Sequence, residues 1–350
     1  MIPYLEIIDK YNLKPYAIIE PSECWFELSY YDVGEFEVYA RASARNLAVL
    51  KKGNYVKLPN LNFIWVITSI QYTFTAGGSR MVSAKGYEAK WLLSKRIIQK
   101  PLQLPLTLTD AVNKLFSDNI STANVLRKIS NFEIRLINID ISLTDRQAPR
   151  GNLLEFINNL LKTYQCGSQV VYENGKLFFT ILQGEDKSLN VKFSQSLDNL
   201  LSSEFLEDET DLKSNALVVS TIENIDYTQE YDTGKIGIDR SEILISSNLS
   251  TKYTDNNGVE QETTPTSLLY KGWQKEEAKA ELINHSTIKE VKGEIDLYNS
   301  IYKFNNDFKL GDIVEVKDDY FNFKIKPRIL KYTISQDAQG KYTEAADYEE

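Results

Sequence analysis

Apolar positions in the first hundred residues recur with the spacing of strands. Cys24 to Ser29 and Phe36 to Ala40 alternate or run apolar, with a turn signal at Asp32-Val33-Gly34 between them. Tyr55 to Leu58 and Phe63 to Phe74 follow, separated by Pro59-Asn60, and Ala76-Gly77-Gly78 turns the chain into a run from Arg80 to Tyr87. Closely spaced β-branched and aromatic runs of this kind predict a barrel or sandwich. The pattern then changes period. Leu108, Ala111, Val112, Leu115 and Phe116 share one helical face. A second helix is predicted from Asn152, an N-cap with Glu155 three residues on, through Leu153, Ile157, Leu160, Leu161 and Tyr164 to a stop at Gly167. Asn174-Gly175 between Val170-Val171-Tyr172-Glu173 and Lys176-Leu177-Phe178-Phe179 predicts a hairpin, because both turn positions must tolerate positive φ.

Strands return from about Gln195, notably Ala216 to Thr221 and Glu242 to Ser246. Tyr253 to Thr266 is polar and turn-rich and reads as a mobile loop. Residues 267–286 form a helix turning Leu269, Trp273, Ala280 and Ile283 inward, and strands follow almost to the C-terminus. The fold class expected is therefore α+β and β-rich: two similar tube-type β-barrel domains with a small inserted α/β domain. Residues 1–100 make the first barrel, 101–194 the α/β domain and 195–350 the second barrel, with part of 195–245 available to complete the first.

The two β regions resemble each other. Gly34-Glu35-Phe36-Glu37-Val38-Tyr39 matches Gly293-Glu294-Ile295-Asp296-Leu297-Tyr298, and Lys52-Gly53-Asn54-Tyr55-Val56-Lys57-Leu58 matches Leu310-Gly311-Asp312-Ile313-Val314-Glu315-Val316. Ser69-Ile70-Gln71-Tyr72-Thr73-Phe74 then matches Ile329-Leu330-Lys331-Tyr332-Thr333-Ile334. The order is kept, and the gaps differ by only one or two residues. Gly34, Gly53, Asn54, Gly293, Gly311 and Asp312 are read as repeat turns, with glycine and its polar neighbour supplying the positive φ of a tight turn. A duplicated barrel has a mechanical use: three chains closing around an axis present six similar barrels.

Composition narrows the chemistry. The 350 residues are 42% hydrophobic and 25% charged, which suits packed cores rather than disorder. No apolar run approaches the length of a membrane span, and the N-terminus is read as lacking a secretory signal. The net charge of −9 is uneven: residues 1–100 carry +4 and residues 200–350 carry −13. A broadly basic nucleic-acid binder is excluded. Cys24 and Cys166 are too few and too far apart for a disulfide framework or zinc site. The single histidine, His285, reads as a helix-end residue. Asp255-Asn256-Asn257-Gly258 has the start of a calcium loop without its downstream carboxylate, and the acidic run Glu204 to Asp211 reads as a solvated linker. No nucleophile–base pair or spaced carboxylate pair stands out, so no catalytic, cofactor-binding or metal residues are assigned and the chain is expected not to be an enzyme. The rival is a carbohydrate- or receptor-binding module, since 21 tyrosines and 4 tryptophans include rings able to stack on sugars.

Cys24-Trp25-Phe26-Glu27-Leu28-Ser29-Tyr30-Tyr31-Asp32-Val33-Gly34-Glu35-Phe36-Glu37-Val38 resembles the opening of siphophage tail-hub proteins. So does Ala84-Lys85-Gly86-Tyr87-Glu88-Ala89-Lys90-Trp91-Leu92-Leu93-Ser94-Lys95-Arg96-Ile97. That family is similar to the hub of contractile-phage baseplates and to the N-terminal part of tail-associated lysins. The resemblance implies a homotrimeric ring between tail tube and tail tip, made in the bacterial host cytoplasm and carried in the virion tail. Its implied partners are the distal tail or tail tube protein, the tape-measure protein and tail-tip or receptor-binding proteins, with DNA only as passing cargo. Lysin activity in such families lies in a separate C-terminal extension, and this sequence stops at Glu350, soon after the second β region. No cofactor is implied.

Overall fold

The structure is a computed structural model that describes residues 2–74, 77–135, 137, 139–296, 300–321 and 323–349. The expected turn residue Ala76, the Leu297-Tyr298 end of the first repeat match and Glu350 lie outside the described residues.

Eleven strands form one sheet. In spatial order they are Leu200–Asp208, Ile288–Ile295, Tyr342–Glu349, Arg328–Gln336, Glu23–Ser29, Glu35–Arg41, Arg80–Glu88, Ile64–Phe74, Tyr55–Lys57, Leu5–Ile8 and Pro15–Ile19. Every neighbouring pair is antiparallel. The β-rich α+β class is as expected, but two closed tube-like barrels are not found. The sheet is open, with Leu200–Asp208 and Pro15–Ile19 as its outer strands. The physical reason lies at the seam: Glu23–Ser29 pairs with Arg328–Gln336, so an edge of each β region is satisfied by the other rather than by its own last strand.

One core runs under both regions. Phe26, Phe36 and Trp65 from the front share it with Phe193, Tyr332 and Tyr348 from the rear. A second core lies in the middle region, where Leu115 and Phe116 meet Ile157, Leu160 and Phe179. The helix Leu108–Asn119 starts at Thr107, whose hydroxyl accepts from the Asp110 backbone N–H. The helix Leu153–Thr163 starts at Asn152, whose carbonyl side chain accepts from Leu154 and Glu155. This helix ends four residues before Gly167, with Gln165 taking the left-handed backbone at φ 54°; Gly167 opens the next strand instead. Asn174 and Gly175 make the hairpin turn at φ 51° and 76°. A small outlying unit packs the sheet of Asn215–Ile222, Ile225–Tyr231 and Glu242–Ser246 against the helix Leu268–Asn284 through Ala216, Val218 and Ala278.

Two loop expectations are corrected. Part of the Tyr253–Thr266 segment is a hairpin, with Lys252–Thr254 pairing with Glu260–Glu262. The acidic run beginning at Glu204 is, through Asp208, an edge strand and not a linker.

Candidate assembly surface

The repeat becomes concrete in the hydrogen bonds of the two turns. Gly53, at φ +90°, donates its N–H to Ile67 O (2.7 Å), and Ile67 N–H returns to Asn54 O (2.9 Å). Gly311, at φ +87°, donates to Ile329 O (2.8 Å), and Ile329 N–H returns to Asp312 O (2.9 Å). One residue later each long strand carries an irregularity against its partner, between Ile67 and Ser69 in the front and between Ile329 and Lys331 in the rear. From these fixed points the strands correspond one to one. Glu23–Ser29, Glu35–Arg41, Arg80–Glu88 and Ile64–Phe74 have as counterparts Leu200–Asp208, Ile288–Ile295, Tyr342–Glu349 and Arg328–Gln336, joined side by side in the same order. Tyr55–Lys57 corresponds to the segment at Ile313, which bridges Arg328.

This correspondence sorts the six repeat glycines and partners. Gly53 with Asn54 and Gly311 with Asp312 occupy equivalent turns. Asn54 is buried and donates to Tyr16 Oη (2.7 Å) and Val49 O (3.1 Å). Asp312 accepts from the backbone of Glu185 and of Lys309, both at 2.9 Å. Gly34 and Gly293 are neither equivalent nor turns of positive φ. Gly34 is needed for close approach, since a Cβ there would lie 2.2 Å from Glu27 O. Gly293 sits within a strand, opposite Ser203 and Ala346. The residue equivalent to it is Val38, four positions from Gly34, and the third match is likewise displaced by two, because Ile329 corresponds to Ile67 and not Ser69.

Where the regions meet, Tyr30 is a keystone. Its buried ring fills space left by two glycines: a Cβ on Gly167 or on Gly311 would lie 2.3 or 2.2 Å from it. Its hydroxyl lies 3.0 Å from the backbone oxygens of both Gln165 and Leu182. Beside it, fully buried Lys90 lies 2.9 Å from Glu88 Oε1 and donates to the backbone oxygens of Ser29 (2.6 Å) and Ser168 (3.1 Å). Burial raises the Glu88 pKa above the usual carboxylate value in spite of Lys90. The thiols of Cys24 and Cys166 are buried and free, pushed up to about 12 and about 11 by desolvation, which disfavours the reactive thiolate. His285 closes the helix Leu268–Asn284 and faces Asp211 at 2.7 Å. Among the described residues no group of His, Cys, Asp and Glu is placed to hold a metal ion, and no helix is long and apolar enough to cross a membrane.

Among the described residues each four-strand unit leaves one strand edge unpaired, in addition to the outer strand Pro15–Ile19. The strand Ile64–Phe74 pairs with Tyr55–Lys57 only through Val66, so one edge from Ser69 to Phe74 is open, with Tyr72 64% and Phe74 67% exposed. Leu200–Asp208 pairs only with Ile288–Ile295, leaving Phe205 43% and Leu206 44% exposed on the other edge strand. Sequence reading missed this second edge. A cleft of about 1150 Å³ opens elsewhere, between Asn60–Phe63, Gln183 and the segment Tyr302–Asp312.

The chain takes a fold found in phage and prophage tail proteins. It is similar over 99% of its length to a tail protein from Neisseria meningitidis MC58 (96% of that chain, 12% identity, TM-score 0.59). It is also similar over 99% to the 43 kDa tail protein of prophage MuSo2 from Shewanella oneidensis (98% of that chain, 13% identity, TM-score 0.59). A third match over 99% is prophage tail protein gp18 from Listeria monocytogenes EGD-e (94% of that chain, 13% identity, TM-score 0.53). The sequence itself belongs to the siphovirus ReqiPepy6 Gp37-like protein family, whose profile matches residues 18–346. No curated protein sequence matches it. The resemblance to siphophage tail proteins read from residues 24–38 and 84–97 is thus borne out.

Proposed function

We propose that the chain is a non-enzymatic structural subunit of a phage baseplate hub, three copies of which close a ring between tail tube and tail tip. The observation that carries this reading is the pair of sheet units with one connectivity inside a single chain. Three chains then supply six such units, which suits contact with a sixfold tube on one side and a threefold tip on the other. Membership in a siphovirus family and the tail-protein fold support the same reading.

In this reading residues 1–100 and 195–350 contribute the ring units and residues 101–194 lie outside them. The ring encloses the channel for tape-measure protein and passing DNA, and its neighbours are the tube, tape-measure and tip proteins. The protein is made in the host cytoplasm and resides in the virion tail. Light scattering after size exclusion tests the stoichiometry: a single species of three chains is expected, and a stable dimer contradicts the ring.

The cleft favours a second reading, an oligosaccharide-binding tip module. Asn60, Asn62, Gln183 and Asn305 line it beside Tyr302 and Phe304, among charged groups that include Lys187, Lys303, Asp307 and Glu344, and amides with aromatic faces suit sugars. Retention of the isolated protein on cell-wall glycan, lost in Phe304→Ala, would favour it over the hub.

A further inference from the structure

The middle region displays an apolar loop tip beside a cluster of cations. Residues 121–129 form a loop whose ends are tied together, Ile129 N–H donating to Ile120 O (3.0 Å). Asn124 fixes the turn at its tip. Its side-chain oxygen accepts from Leu126 N–H (3.1 Å), and its backbone oxygen accepts from Arg127 and Lys128 N–H (3.0 Å each). Arg127 rivets the loop to the strand pair Ile97–Ile98 and Gly151–Asn152 and to the helix Leu108–Asn119: its guanidinium donates to Ile97 O (2.7 Å), Gln99 Oε1 (2.7 Å) and Asn119 Oδ1 (2.9 Å). The turn so fixed holds Val125 and Leu126 out in water, 84% and 93% exposed, with Ile97 also exposed on the strand that Arg127 grips. Scattered exposed aliphatic side chains are ordinary. These differ in standing among charges of one sign.

Lys95, Arg96, Arg127, Lys128 and Arg150 gather at the base of the tip. Arg96 Nε donates to Arg127 O (2.6 Å) and Arg150 Nε to Gln99 O (3.1 Å). Among the described residues none of these five forms an ion pair. Acids of adjoining elements are engaged elsewhere, Asp118 with Lys114 (3.2 Å) and Glu260 with Lys100 (2.9 Å). Glu155, in the first turn of the helix after Asn152, sets one negative charge against the five. Burial, and then the like charge of Arg127, lower the Arg96 pKa, so two guanidiniums that repel each other are held together here. We infer that this loop is a membrane-contact site: Val125 and Leu126 enter the interface of an anionic phospholipid bilayer while the flanking Lys and Arg side chains meet lipid phosphates. Lipid fits both halves of the surface. A dissolved polyanion uses the cations and leaves Val125 and Leu126 in water, whereas an apolar protein groove covers these two and leaves the cations uncompensated. The net charge of −9, with its acidic excess in residues 200–350, makes an anionic surface repel most of the molecule and attract this face. The contact needs neither the ring nor its stoichiometry, and in a tail it gives the particle a hold on the host bilayer.

Co-sedimentation of the full chain with vesicles of phosphatidylglycerol and phosphatidylcholine in equal amounts tests the site. Binding is expected, and it should weaken about tenfold or more on pure phosphatidylcholine vesicles or in raised salt. Val125→Asp/Leu126→Asp changes two exposed residues, and Lys95→Glu/Lys128→Glu spares the guanidiniums that build the loop. Each double variant is expected to lower binding about tenfold or more with the thermal unfolding midpoint unchanged. Loss in one variant and not the other means that charge or apolar contact acts alone, and overturns the proposal, as does a parent protein that binds neither vesicle. A label reads the depth. Leu126→Cys carrying an environment-sensitive fluorophore, with the native Cys24 and Cys166 buried, is expected to shift to the blue with the mixed vesicles. Soluble polyphosphate at equal phosphate is expected to leave the emission unchanged. No shift with vesicles, or an equal shift with polyphosphate, overturns the bilayer contact.

Discussion

Ile70 and Tyr72 in the front unit occupy the positions that Tyr332 and Ile334 hold in the rear unit, and the two pairs differ in what covers them. Tyr332 and Ile334 are 1% and 3% exposed, under Phe304 and Phe308 and alongside Phe26. Tyr72 is open to solvent. The same backbone, with the same glycine turn and the same bulge, is thus finished inside the chain in one unit and left unfinished in the other. An apolar strand edge left open is a liability for a soluble monomer and an asset for a subunit that assembles.

The units also differ in what anchors them, and removing each anchor sharpens the contrast. The front unit ends on the buried Glu88–Lys90 pair. Lys90→Met strands Glu88 without its partner and is expected to cost about 3–5 kcal/mol in urea unfolding. Pairing it with Glu88→Gln should restore a large part of that loss. A Lys90→Met protein as stable as the parent would mean that the front unit is not held by this pair.

The two turns should respond unequally to one methyl group. Gly311→Ala combines a positive φ with a contact at 2.2 Å to the immobile Tyr30 ring. The expected loss is about 2–5 kcal/mol. Gly53→Ala has the same backbone strain but meets only the flexible Lys10 side chain, so about 1–2 kcal/mol is expected. Equal losses would break the claim that the rear turn, not the front one, is locked by Tyr30.

The smallest effect concerns pH at the seam. Burial raises the pKa of Glu27 and of Asp347, which flank Lys331 from the two neighbouring strands. A carboxyl whose folded pKa lies above its unfolded value binds more protons when folded. Its contribution to stability is therefore greatest below the unfolded pKa and declines as pH rises through the folded one. Glu27→Gln and Asp347→Asn should each flatten the fall in stability on going from acidic to neutral pH, measured by thermal unfolding across a pH series. An unchanged slope would remove these groups from the account.

Much of this arrangement was legible from local chemistry. Asn152 as a cap and Asn174-Gly175 as a turn are set by groups within a few residues of each other. The Gly53 and Gly311 match aligns two turns with the same positive φ and the same hydrogen bonds, because a turn glycine is a single marked position. The flanking matches slipped by two and by four residues. Strand patterns repeat every two residues, so an even displacement keeps every apolar residue on its face and leaves no trace in the sequence. The part of Leu200–Asp208 from Glu204 onward reads as a linker because neither of its faces is buried, so it lacks the alternation that burial imposes. Sheet closure was illegible for another reason: it depends on which distant edge pairs with Arg328–Gln336, and no local pattern records that.

Electron microscopy of the purified full chain at assembling concentration tests the central claim most directly. Face-on class averages should contain three chains arranged as six similar lobes around an open centre. A closed particle of two or four chains, or three chains whose front and rear units do not alternate around the axis, would contradict it.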